Sequence, residues 1–536
     1  MATRRRSGPA PDVDAVVVGA GHNGLVAANL LADRGWSVLV LEAADHPGGA
    51  VHSDDSLRPG FVTDWYSSFY PLAAASPTLQ KLELEQWGLT WKHAPAVLAH
   101  VFPDGRCALL DRDRDVTAAS LETFGAGDGD SWLRVVAAYE RIAEPFLESA
   151  LSPFPPVRAA TRLFRTMGTA DAMRFARFAM SPVRRFGKEN FRGEGATMLF
   201  AGNALHTDLP PESAGSAIYG WLLCMLGQTV GFPVPAGGSR GIIDALVARL
   251  TAHGGSLRFG AQVTSVDVAE GQARGVRLAD GERITAGAVL ADVAAPTLYT
   301  DLVGARHLPD RLNDDLRAFD WDHSTLKLNW ALSGPVPWTA PEARRAGTVH
   351  LGVDLDGLSR YATDLTTGRM PEQPFALFGQ MTTSDASRSP EGTESAWSYT
   401  HLPGSVEAGP DEIARQVERV EAAIEAQAPG FGALVLDRAV QSPADLNAAD
   451  ANLVHGALGG GTAAIHQELF FRPVPGLGRA DTVVDGLYLA SASAHPGGGV
   501  HGTPGANAAA AALRRAGHAG PVHRAVVDAA HRRIYR

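Results

Sequence analysis

The sequence predicts an α/β fold, and three observations predict it. The first is a strand–turn–helix–strand unit near the start, VVVGAGHNGLVAANLLADRGWSVLVLE, from Val16 to Glu42. The second is a series of strand and turn signals between Ser256 and Ala291. The third is a short apolar strand, Gly486–Ala490, followed by a glycine-rich loop and an alanine-rich helical run. Apolar strands interleaved with helical runs are the pattern of a parallel sheet with helices packed on it.

The first unit reads as a dinucleotide site. An apolar strand, Asp14–Val18, runs into Gly19-x-Gly21-x-x-Gly24 and then into a helix expected over Leu25–Arg34. Gly19 permits the tight turn, Gly21 lets backbone approach a diphosphate, and Gly24 lets the helix pack closely on the strand. The helix N-terminus offers unpaired N–H groups and the positive end of a dipole. A second strand, Ser37–Leu41, ends on Glu42, 18 residues after Gly24, where a carboxylate accepts ribose hydroxyls and repels a 2′-phosphate.

Two further features narrow the cofactor. Gly48-Gly49 follows six residues after Glu42, and the last strand leads to His495-Pro-Gly-Gly-Gly499 and on to Gly502-Thr503-Pro504. Thr503 suits an N-cap and Pro504 the first helical turn of a run that ends near Arg515.

Together these motifs resemble the FAD-dependent phytoene desaturase and flavin amine oxidase superfamily. The likeness is strongest to its branch named for pyridine nucleotide-disulphide oxidoreductase domain-containing protein 2. It covers about Asp12 to Arg515 and is weak from about Val101 to Asn203. It implies a discontinuous Rossmann-like FAD-binding domain beside a mixed α/β substrate domain, and two-electron oxidation, often desaturation, of lipophilic substrates. In such a fold Gly19, Gly21, Gly24, Glu42, Gly48, Gly49, Val263, Gly498, Gly499, Gly502 and Thr503 would hold FAD. Val263 would meet the adenine through its backbone. The helix that starts at Thr503 would face the pyrimidine end of the flavin, where negative charge develops on reduction.

The expected segments are 12–95, 231–299 and 476–536 for the FAD domain and 96–230 and 300–475 for the substrate domain. Within them, Val97–Leu110 reads as a hairpin turning at Pro103-Asp104-Gly105, residues 116–150 as helical, and Ile242–His253 as a helix. Strands are expected at Ser256–Phe259, Val263–Val268, Ala273–Leu278 and Ala288–Ala291. Residues 1–12, with Arg4-Arg5-Arg6, read as a disordered arm rather than a leader, because the apolar run behind them is the first strand.

Composition excludes other classes. A net charge of −11 gives no footprint for nucleic acid. Two cysteines, Cys107 and Cys224, make neither a disulfide framework nor a redox pair and point to the cytoplasm. No run of 18 apolar residues predicts a membrane span. The segment 151–192 is the exception to the acidic balance, with nine basic residues against Asp171 and Glu189. Apolar residues interleave at helical spacing, so it reads either as a peripheral contact with an anionic membrane or as a solvated helical face.

Two departures from the superfamily stand out. Ala50, not arginine, follows the paired glycines, and Ala490-Ser491-Ala492-Ser493 replaces the usual Gly-Asp near the ribityl chain. Candidates for proton removal are His495 and His501, which flank the flavin loop, and Lys327. Flavin amine oxidases keep a lysine near flavin N5. Strand alternation instead allows Lys327 and Asn329 a solvent face opposite Leu326, Leu328 and Trp330. His206 and Asp208 stand near enough in sequence for an oriented pair, or for a loop cap. Trp65, Tyr66, Phe69 and Tyr70 would lie by the flavin or in the core. The expected reaction is dehydrogenation or desaturation of a lipophilic substrate, with hydride passing to flavin N5 and a proton to a nearby base or water. The alternatives are a flavin amine oxidase and a flavin-bearing interaction or regulatory protein.

Overall fold

A computed structural model describes residues 11–404 and 408–536. Two seven-stranded sheets organise the chain. In chain order their strands are β1 (Val13–Val18), β2 (Val38–Leu41), β3 (Ala96–Val101), β4 (Cys107–Leu110), β5 (Ser256–Arg258), β6 (Val263–Ala269), β7 (Gln272–Leu278), β8 (Arg283–Ala291), β9 (Ser324–Leu332), β10 (Ala346–Leu351), β11 (Ala376–Gln380), β12 (Glu394–Leu402), β13 (Val435–Gln441) and β14 (Leu487–Leu489). The helices that shape the site are α1 (His22–Ala32), α2 (Asp128–Ala150), α3 (Val157–Ala179), α4 (Gly195–Ala204), α5 (Ser216–Thr229), α6 (Arg240–Ala252), α7 (Leu355–Thr366), α8 (Pro410–Gln427) and α9 (Thr503–Ala516).

The first sheet runs β6-β7-β8-β1-β2-β5, with β14 on the second half of β8. Its β14, β8, β1, β2 and β5 are parallel, and β6 and β7 add an antiparallel meander. Parallel strands are covered on both faces, which explains why Ala15 to Val18 form an unbroken apolar run with every residue buried. Helices α1, α6 and α9 pack on one side, where Leu25, Ile243 and Ala508 share a core. The strands of this sheet fall within 12–95, 231–299 and 476–536, and those of the second within 96–230 and 300–475.

The second sheet runs β13-β9-β12-β11-β10-β3-β4, antiparallel except for the β10–β3 pair. Both of its faces are buried: β9 has no residue open to solvent. On the outer face, Leu326, Leu328 and Trp330 pack against Val417, Val420 and Ile424 of α8. On the inner face, Leu377 and Trp397 pack under Phe200 of α4 and Trp221 of α5.

Several boundaries differ from expectation for local reasons. Helix α1 starts at His22, three residues early, because its third glycine lies inside the helix rather than before it. The 116–150 region is broken into Arg114–Glu122 and α2, with Gly127 in the left-handed region at the start of α2. Strand β8 begins at Arg283 and so spans both the meander and the parallel core. Residues 1–10 of the expected arm lie outside the described residues, whereas Asp12 is bonded to Thr285. No helix among the described residues is long and apolar enough to cross a membrane.

A buried ionic knot joins three connecting segments outside the two large sheets. Arg388 has no solvent exposure and donates to Asp64 Oδ1 at 3.0 Å and to the Pro235 carbonyl at 3.1 Å. Asp64 Oδ1 also accepts the Ser239 N–H, and Asp385 accepts the Gly237 N–H. Three segments far apart in sequence thus meet at one guanidinium. Arg388→Ala leaves Asp64 and Asp385 buried without their cation, and the expected cost is about 3–5 kcal/mol. Urea unfolding of wild type and variant at neutral pH measures it.

Candidate functional site

The site begins at the N-terminus of α1. Gly19 adopts φ +94 at the turn, and its N–H donates to the Leu41 carbonyl, so the loop is tied to the end of β2. Gly21 is the N-cap residue and has no side chain to bond the helix. The carboxylate of Glu42 accepts the Ala20 N–H at 2.7 Å and the Ala44 N–H at 2.9 Å, which fixes it beside the loop. Gly48 donates to the Ala20 carbonyl and bridges Gly21, bringing the paired glycines to the same place. Gly260 and Ala261 donate to the Ala44 and Glu42 carbonyls, so Val263 begins β6 two residues after the one bonded to Glu42.

Helix α9 brings the second half of the site to the first. A Cβ on Gly505 would collide with the Asn23 carbonyl, so α9 and α1 cross in backbone contact there. The loop glycines serve the same approach: a Cβ on Gly502 would lie 2.8 Å from Val26, one on Gly499 2.9 Å from Leu72, and one on Gly498 2.7 Å from the Gly459 carbonyl. The expected N-cap is corrected. Gly502, at φ +70, caps α9, and Thr503 is its first residue. The Thr503 N–H goes to His501 Nδ1, which leaves the Thr503 hydroxyl buried with no partner.

Other buried polar atoms at the start of α1 are also without partners: His22 Nε2 and Asn23 Oδ1. Such atoms are costly unless something bonds them. The Ser493 hydroxyl is committed to protein, donating to the Gly460 carbonyl and accepting the Ala295 N–H, while the Ser491 hydroxyl accepts the Ser493 N–H. A side-chain-free helix start, a fixed carboxylate and unspent polar atoms between α1 and α9 fit a dinucleotide with a flavin at its far end.

The candidate bases are all buried. His495 is bonded to the Ser152 carbonyl, and burial pushes its ring down to about 4. His501 is pushed down to about 3 by burial, with His22 beside it. Lys327 is 3% exposed, which removes the solvent-face reading; alternation holds, but the inner face of the sheet is covered by α4 and α5. Its Nζ donates to the Asp64 and Tyr66 carbonyls, both at 2.6 Å, and stands 5.4 Å from the Trp397 ring centre. Burial pushes its amine down to about 7. Phe69 lies 6.0 Å from Trp397, so the aromatic segment after the first glycine loop reaches the lysine, while Tyr70 is core.

Further along the inner face is a polar cluster that sequence reasoning only touched. His206 and Asp208 do not pair with each other. His206 bonds Tyr399 and His350 at 3.2 and 3.3 Å. Asp208 accepts the His323 N–H at 2.6 Å and lies 3.2 Å from His401 Nδ1. A cavity of about 180 Å3 opens there, lined by Asp208, His323, His401 and Thr462 among others. Cys107 and Cys224 are free; burial pushes the Cys107 thiol up to about 12.

The residue that sequence reasoning missed is Asp292, which directly follows β8. Its Oδ2 accepts the Gly24 N–H at 2.8 Å. A signal existed: a carboxylate just past the carboxyl end of a strand in the glycine-loop sheet stands where such sheets bind ligands.

Comparison with known proteins agrees with this geometry. The family described as flavin containing amine oxidoreductase matches residues 24–425. Pyridine nucleotide-disulfide oxidoreductase domain-containing protein 2 of Rattus norvegicus is 28% identical over 93% of this chain and 93% of its own. A lycopene-forming phytoene desaturase of a Paracoccus species is 24% identical over 93% of this chain and 96% of its own. Among solved structures, an oxidoreductase from Methanosarcina mazei superposes with a TM-score of 0.61 at 14% identity, covering 94% of this chain and all of that one. Cyclohexylamine oxidase from Brevibacterium oxydans does so with a TM-score of 0.56 at 16% identity, covering 94% and 100%.

The Lys327 amine titrates near 7 in the folded chain against 10.5 when free, so the unfolded chain holds more protons between those values. Stability therefore rises with pH through that window. Lys327→Met is expected to flatten the rise, as measured by unfolding at a series of pH values from about 7 to about 10.

Proposed function

The chain belongs to the flavin-containing amine oxidoreductase family, and from that premise we propose that it is an FAD-dependent dehydrogenase or desaturase of a lipophilic substrate. FAD is its cofactor, and the residues between α1 and α9 suit it. The observation that carries the substrate reading is the roof over the inner face of the second sheet. Met198, Phe200, Trp221 and Met225 of α4 and α5 pack there with Leu377 and Trp397. Phe175 and Phe178 of α3 reach Trp221 at 6.0 and 5.5 Å, and the far side of α3 leaves Phe164 and Met173 exposed. Apolar and aromatic side chains thus run from the surface to the sheet, surroundings that would favour an apolar ligand over a polar one.

Bound FAD supplies the two-electron acceptor, with N5 as the atom that takes hydride. The protein's part is to position and to manage the proton. The N–H groups of α9 and the Thr503 hydroxyl would hold the pyrimidine end of the ring. Lys327 ties Asp64 and Tyr66 and so keeps Phe69 against Trp397. A base works best with a pKa near the working pH, which Lys327 at about 7 meets better than His495 at about 4 or His501 at about 3.

A second reading, amine oxidation, is favoured by the same lysine beside an aromatic ring. Anaerobic mixing separates the readings. Long apolar substrates with an oxidisable C–C bond are expected to bleach the flavin bands, and primary amines to leave them unchanged. Bleaching by amines alone would make the protein an amine oxidase. Tight flavin that nothing bleaches would mark a regulatory flavoprotein.

The basic segment is less charged than its sequence suggests. Arg162, Arg174, Arg177, Arg184 and Arg185 are paired with Glu144, Glu148, Asp171, Glu189, Glu212 and Asp356. Arg158 and Arg165 stay exposed on α3 next to Val157 and Phe164, and this face supports a peripheral membrane contact. Phe164→Glu with Arg165→Glu is expected to abolish co-sedimentation with anionic vesicles. Unchanged co-sedimentation would make α3 an ordinary solvated helix.

A further inference from the structure

The N-terminus of α1 is the place that the glycine pattern reserves for the diphosphate of FAD, and in the folded chain a carboxyl already stands there. Asp292 Oδ2 accepts the Gly24 N–H at 2.8 Å and lies 2.7 Å from where a Cβ on Gly21 would sit. Gly21 cannot cap α1 itself, so Asp292 caps it from just past the end of β8, 268 residues after Gly24. One of the N–H groups that a helix start offers to an anion is therefore already taken.

The charged surroundings are acidic. Glu42, at the end of β2, and Asp450, after the Pro443–Ala449 helix, are the ionisable groups acting on Asp292. Asp450 Oδ2 comes within 3.1 Å of the Cβ position of Gly49, so it borders the same cradle, and burial with Glu42 nearby raises it too. Burial, with Asp450 and Asp54 nearby, raises Tyr66 as well. From α1 the titratable group is His22, which is turned to Gly499 and His501 and kept neutral by burial at about 4. Asn452 contributes an amide, donating to the Asp292 carbonyl at 3.4 Å. Position 50, directly after the paired glycines, is alanine and brings no cation.

We propose that Asp292 is a protonated gate to the diphosphate site: FAD binds with the Asp292 carboxyl carrying its proton and donating to a diphosphate oxygen, and the ionised carboxylate competes with FAD for the α1 N-terminus. Two anions cannot share this helix start without a cation, and the carboxyl is the partner able to become neutral. Burial and its two acidic neighbours already hold Asp292 at about 7. A diphosphate placed against it pushes it higher, so the complex holds a proton that free protein loses above about pH 7. Affinity then falls as pH rises, by up to about tenfold per pH unit. The inference concerns the cofactor and is independent of which substrate is oxidised.

The test is FAD binding by apoprotein, read from quenching of flavin fluorescence between about pH 6 and about pH 9. Wild type is expected to show a dissociation constant that climbs about tenfold per unit above about pH 7. Asp292→Asn, whose amide donates at every pH, is expected to bind with a flat profile and more tightly than wild type at the alkaline end. Ionisation of the flavin ring is common to both proteins and cancels in their ratio. A flat wild-type profile, or a slope that survives in Asp292→Asn, would overturn the proposal. Should Asp292→Asn not fold, calorimetric titration of wild type with FAD in buffers of different ionisation enthalpy decides the matter. Uptake of about one proton near pH 8 supports the gate and uptake of none sinks it.

Discussion

A chain that visits each of its two sheets more than once needs something to hold the crossings together, and here it is the buried pair of Arg388 and Asp64. That guanidinium, which lies between β11 and β12, bonds Asp64 of the segment between β2 and β3 and the Pro235 carbonyl of the segment before α6. Everything at the lysine hangs from the same place, because the Asp64 backbone also receives Lys327. Burying ions is costly, and replacing such a pair with apolar residues is often harmless to stability. Its value in this fold is registry: the three segments must meet in one arrangement for Arg388 to reach Asp64, Asp385 and the Pro235 carbonyl together.

The cofactor end obeys a second constraint, the four unpaired N–H groups of α1. Glycine at the cap leaves them for outside partners, and the chain supplies two carboxylates, Glu42 on the loop and Asp292 on the helix. The first, bonded to the Ala20 and Ala44 N–H groups, stands clear of the helix start itself. The second stands where the phosphate belongs. The same stretch of backbone is thus both a binding surface and an occupied one.

Much of the fold was legible in the sequence because its signals are local. Glycine spacing, apolar runs and the acid after β2 each depend on neighbours within about 30 residues, and the βαβ unit and a dinucleotide followed from them, while FAD itself followed from the family resemblance. What escaped was set by contacts across long separations. The alternation of β9 sorted Lys327 from Leu326, yet which face is wet depends on α4 and α5, built more than 95 residues earlier. Asp292 became a cap only because β8 pairs with β1 and ends beside its loop. Thr503 looked like a cap, but the left-handed turn at Gly502 took that place and left the hydroxyl free. His206 and Asp208 are neighbours in sequence that face different partners, because a short helical turn separates them.

The strand order of the first sheet also sets a calendar for synthesis. All strands of the second sheet have been synthesised once Gln441 has been made. The first sheet, which contains the earliest strand of the chain, must wait for β14 to reach β8 and for α9 to reach α1. The domain that begins first is therefore the one that closes last. Until then the glycine loop has neither its α9 neighbour nor, before residue 292, its cap. A nascent chain in that interval carries half a nucleotide site for most of its translation, and the last tenth of the polypeptide turns it into a whole one.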